Sequence, residues 1–160
     1  MVYAVPLADG SFGVAQSVEA MSPFTNVIFV ALFADRHNEI PERLDGLDPS
    51  RALSLVTTWR RHLNRGDWIS IALAPLVIHK REFPDERLAQ TGYVGAKTFD
   101  AMLLARFLSA WHGLLPWNVM KDPDYYDALL RPGLSRPSAA VLLDDEARLR
   151  YRRENFGLDA

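Results

Sequence analysis

The stretch from Thr98 to Leu130, TFDAMLLARFLSAWHGLLPWNVMKDPDYYDALL, constrains the fold more than any other part of the chain. Nine of the eleven residues Ala101 to Trp111 are apolar, interrupted only by Arg106 and Ser109. A helix this apolar has to be buried over most of its circumference. Leu104, Leu108 and Trp111 recur at helical spacing, Leu103 and Phe107 broaden the stripe, Asp100 is the expected N-cap and Gly113 the expected left-handed stop. A second short helix follows the turn LLPWN, with Asp122 placed to cap it, Pro123 to open it, Asp124 favoured by the dipole and Arg131-Pro132-Gly133 to end it. Tyr126, Leu129 and Leu130 share one face of it, so the pair reads as a helical hairpin with its corner at Pro116-Trp117.

What such a hairpin covers is legible upstream. Val2, Tyr3, Val5 and Leu7 mark an extended segment, Asp9-Gly10 a hairpin turn, and Phe12 to about Val18 a returning strand. The small residues Gly13, Ala15 and Ser17 line one face of that strand and suit close packing. Val27 to Ala34 is a continuous apolar run, the pattern of a central strand buried on both faces. Asp35 to Pro49 reads as a polar loop. The segment LSLVTTW, Leu53 to Trp59, is compatible with strand or helix, and its β-branched residues favour a strand followed by a helical turn ending at Gly66. Asp67 to Leu73 alternates as a strand, and LVIH (76–79) and Gly92 to Gly95 read as further extended pieces. The expected fold is α+β: a bent antiparallel sheet or partial barrel of about five or six strands, closed by the helical hairpin. Residues 1–133 form the expected domain and 134–160 a charged helical tail with Asp144–Arg148 and Glu146–Arg150 pairs, free to pack, to cross to another chain or to move.

Composition narrows the chemistry. The absence of cysteine excludes disulfides, thiolate metal sites and cysteine nucleophiles. A net charge of −2, from 18 basic and 20 acidic residues that are interspersed, offers no general electrostatic case for nucleic acid or an anionic membrane. Lacking a spanning apolar stretch or a secretion signal, the sequence reads as cytoplasmic. Serine-nucleophile and phosphate-loop motifs are missing, so no catalytic residue and no cofactor is assigned.

Three constellations remain. His112 with Asp122 and Asp124 is a conceivable metal set, against the plainer reading of one histidine and two helix-start acids. Arg60, Arg61, His62 and Arg65, between Trp59 and Trp68, could grip phosphate or stack on bases, against the plainer reading of a solvated turn. Trp117, Asp122, Asp124 and Tyr125, with Tyr126, form an aromatic and acidic group suited to a basic protein partner, against the plainer reading of core anchors for the hairpin.

Several stretches resemble the immunity protein 26 family of bacterial polymorphic-toxin systems, grouped with a small phosphotriesterase that hydrolyses coroxon. They are AVPLADGSFGVAQ (4–16), RGDW (65–68) and FLSAWHGLLPWNVMKDPDYYDALL (107–130), of which GLLPW and DPDYYDALL are the most specific. The resemblance implies a β-rich protein that binds and neutralises a toxin without catalysis, with a metal-assisted phosphotriester hydrolase as the alternative; the basic cluster of Arg60, Arg61 and Arg65 adds a nucleic-acid-binding module as a second alternative. It carries no catalytic residues onto this chain, and self-association is left open.

Overall fold

Asp9-Gly10 turns the chain as its sequence requires. In the computed structural model, which describes residues 1–44 and 46–157, Gly10 takes a φ of 85°, and β1 (Val2–Pro6) returns as β2 (Phe12–Met21) with Val5 opposite Gly13. β3 (Phe24–His37), β4 (Ala52–Trp59) and β5 (Ile69–Ala72) complete a five-stranded antiparallel sheet in the order β4-β3-β2-β1-β5. The fold is α+β, and the sheet stays open, with β4 and β5 as its edges.

β3 is an interior strand, next to the β4 edge, and its Val27–Phe33 stretch is buried on both faces, as the unbroken apolar run requires. Val30 and Leu32 look into one core with Leu104, Phe107, Leu108 and Trp117, while Phe29, Ala31 and Phe33 look into the other with Ile78, Phe83 and Tyr93. The first core is covered by α2 (Ala101–Trp111), after α1 (Arg60–Arg65) has returned the chain from β4 to β5 through Gly66 at φ 85°. Asp100 caps α2 by accepting the Met102 N–H at 2.8 Å, and Met102 is the one exposed residue on the helix. Leu104, Phe107 and Leu108 are inaccessible to solvent, each burial contributing about 1.5–3 kcal/mol. Gly13 explains how the helix comes so near: a Cβ there would stand 3.0 Å from Leu108 Cδ1.

The second core is covered differently from the sequence expectation. LVIH and Gly92 to Gly95 are not strands; the segment runs through 3-10 turns at Lys80–Glu82 and Pro84–Thr91 and buries Ile78, Phe83 and Tyr93 at irregular spacing. Pro75 and Pro84 interrupt any ladder here. Phe83 and Tyr93 meet Phe29 with ring centroids 5.0 and 6.1 Å away.

Past α2, the chain turns at Pro116-Trp117 into α3 (Tyr125–Leu129), which begins later than its sequence suggests. Asp122 accepts the Asp124 N–H at 2.9 Å, so it closes a turn ahead of the helix, and Pro123 stays outside it. The tail is docked. Its α4 (Asp145–Phe156) is capped by Asp144; of the two expected i,i+4 pairs, Arg148 bridges Asp145 at i,i+3 and turns inward, and Arg150 is exposed. Arg148 and Arg152 donate to the backbone carbonyls of Asn118, Met120 and Val119. Asn118 and Leu143 exchange two hydrogen bonds of 2.8 and 2.9 Å, and Arg106 lies 5.0 Å over the Phe156 ring. Among the described residues no helix is long and apolar enough to cross a membrane.

Candidate interaction surface

The aromatic and acidic group divides into a buried base and an exposed top. Trp117 is wholly buried, so it anchors the hairpin and presents nothing to a partner. Its ring packs 5.8 Å from Phe107 and 5.5 Å from Tyr126, the latter edge-on, and Tyr126 in turn meets Tyr125 at 6.2 Å. Burial pushes the Tyr126 hydroxyl up to about 12 and raises Tyr125 as well. Above this base, Asp122 and Asp124 are exposed, with Tyr125 half-buried beside them.

Two residues of this surface carry no signal in the sequence. Asp127 accepts Trp117 Nε1 at 3.2 Å and a two-pronged contact from Arg136, Nε at 3.1 Å and Nη2 at 2.9 Å. The same Arg136 Nη2 reaches Asp124 at 3.3 Å. Arg136 reads as linker in sequence because its partners lie 9 and 12 residues away on another element. In space it fixes the fork of α3, leaving the Asp124 side chain 73% exposed.

His112 does not join Asp122 and Asp124. Among the described residues no group of three histidines, aspartates or glutamates is arranged to hold a metal ion. The His112 ring stands instead among charges from the β1–β2 hairpin and the end of β3. Burial lowers its pKa, helped by Arg36 and Arg51 and opposed by Asp9 and Asp35, and its Nε2 is buried without a hydrogen-bond partner. Nearby, the Ser11 hydroxyl and amide, seconded by Arg36, hold Asp9 down to about 2. This is a hairpin clasp rather than a ligand set.

The basic cluster is engaged internally. Arg60 Nε donates to the Thr25 carbonyl at 2.7 Å, Arg61 lies over Trp59, and Arg65 grips Asp67 with Nε at 2.9 Å and Nη2 at 2.6 Å. Trp68 is buried and donates to the Ala101 carbonyl. His62, also buried, joins Asp67 through Nδ1 at 2.9 Å; its Nε2 lies 3.2 Å from Asp100 Oδ2 but off the line of a hydrogen bond. RGDW thus ties α1 to the cap of α2. The Arg65 guanidinium, with His62 behind it, holds Asp67 at about 2.

Comparison with protein-family models, with curated proteins and with solved structures finds no match.

Proposed function

We propose that this protein is a non-enzymatic binding protein whose acidic face, Asp122 and Asp124 with Tyr125, meets a basic surface on a protein toxin. The observation that supports this reading is the pairing of two exposed carboxylates with an aromatic ring on a base that is already rigid. Trp117 and Tyr126 hold the base from below, and Arg136 and Asp127 hold it from the side. A partner then loses little freedom in ordering this surface, which is what turns a small contact into affinity. Exposed acids also steer a cationic partner and speed its approach. GLLPW and DPDYYDALL, the stretches whose likeness to toxin-immunity proteins motivates this reading, lie on this same turn and helix.

The test is co-purification of the chain with the toxin encoded beside its gene, followed by Asp122→Lys with Asp124→Lys. The expected result is a stoichiometric complex whose association rate falls with salt and drops by about tenfold or more in the double variant. Absence of any complex with neighbouring gene products, or a double variant that binds and protects as well as the parent, would overturn the reading.

A further inference from the structure

The β4 edge is covered at two places and bare between them. The Leu53 carbonyl accepts the Arg131 N–H at 2.8 Å, and the Thr57 carbonyl accepts the Phe99 N–H at 2.9 Å. Outward-facing backbone groups alternate along an edge strand, so Leu53, Leu55 and Thr57 all turn theirs away from β3. The two covers stop on either side of Leu55, whose outward N–H and C=O meet no partner among the described residues. A groove of about 250 Å³ opens over that point, walled by the 3-10 turn Pro84–Thr91 on one side and the end of α3 on the other.

Its rim is cationic. Arg87, Lys97 and Arg131 line it against the single carboxylate of Asp85; among the described residues none of the three pairs with an acid, although Arg131 Nη1 donates to the Pro49 carbonyl at 3.1 Å. One backbone donor and one acceptor on the same residue are what an extended peptide uses to add a rung to a sheet, and surplus positive charge beside them suits an α-carboxylate. Because chain 97–99 and chain 129–131 block the edge on both sides of Leu55, a strand running through is excluded, whereas a peptide that enters from solvent and adds a single rung at its end fits.

We propose that this groove binds the free carboxyl terminus of a short extended peptide. The penultimate residue pairs its N–H and C=O with the C=O and N–H of Leu55, and the terminal carboxylate sits among Arg87, Lys97 and Arg131. The site lies at the opposite end of α3 from Asp124, and its test involves no toxin.

The experiment titrates the full chain with N-acetyl-alanyl-alanine, with the same dipeptide as its C-terminal amide, and with acetate, following backbone amides by NMR. The expected result is a saturable shift at Leu55 and Lys97 with the free acid, weakened about tenfold or more in the amide form. Acetate should move Lys97 without moving Leu55. Lys97→Gln and Arg87→Gln, both exposed and so compatible with folding, should each weaken the acid severalfold. No saturable shift with the acid up to about 10 mM, equal binding of the amide form, or a Leu55 shift of the same size with acetate would each overturn the proposal.

Discussion

The two edges of the sheet solve the same problem in opposite ways. β4 is covered by segments from elsewhere: Phe99 and Arg131 bond its carbonyls, and the hydroxyls of Ser54, Thr57 and Thr58 donate to the carbonyls of Leu129, Lys97 and Phe99 at 2.6 to 2.8 Å. β5 has no strand on its outer side among the described residues, and no residue from Trp68 to Ile78 is charged. What limits its reach is shortness, four residues, and the register shift where it meets Val2 and Tyr3. An edge closed by distant chain acquires a shaped gap where the covers fail to meet; an edge kept short acquires none. The difference opens a groove over β4, whereas the hollow of about 270 Å³ near β5, lined by Pro6, Asp67, Trp68 and Met102, lies ahead of that strand rather than along its edge.

The sharpest way to break this contrast is Ser54→Ala, which leaves the buried Leu129 carbonyl without its donor and should cost about 1–3 kcal/mol in urea denaturation. An unmoved midpoint would mean that the cover is not held by that hydroxyl. A smaller effect separates the edges by acid. β5 begins two residues after Asp67, whose carboxyl, held at about 2 chiefly by Arg65, stabilises the fold above its unfolded pKa near 3.9 and loses that contribution as pH falls toward 2. The hydroxyl bonds of β4 do not titrate. Between pH 4 and 2, amide-exchange protection should therefore fall first in β5, and Asp67→Asn should remove that selective loss. The smallest effect is on Leu73, which is 82% exposed: Leu73→Lys should leave stability within about 0.5 kcal/mol while slowing aggregation on heating. A large destabilisation there would show that the open edge is covered after all.

Much of this architecture was legible because it is local or periodic. The apolar stripe around Leu104, the Asp9-Gly10 turn and the unbroken run Val27 to Ala34 each state their structure within a dozen residues. The 76–93 segment did not, since Ile78, Phe83 and Tyr93 are buried from 3-10 turns whose spacing imitates neither a strand nor an α-helix. Trp117 shows the limit of composition: an indole among aspartates suits an interface as well as a core, and only the Phe107 and Tyr126 rings around it decide for the core. The gap at Leu55 was beyond reach, because it exists only where residues 97–99 and 129–131 come to rest on a strand read without its partners. Likewise Arg148 reads as half of a helical ion pair, whereas backbone carbonyls about 30 residues upstream draw it inward.

Those carbonyls set an order of events during synthesis. A chain emerging from its N-terminus lays down Asn118, Val119 and Met120 well before Arg148 and Arg152 exist to neutralise their exposed oxygens, the Val119 partner arriving 33 residues later. Until then the loop leading to Asp122 lacks the donors that α4 supplies. The turn that leads into α3 is therefore completed only when α4 docks, about 30 residues of chain after the turn itself has been made.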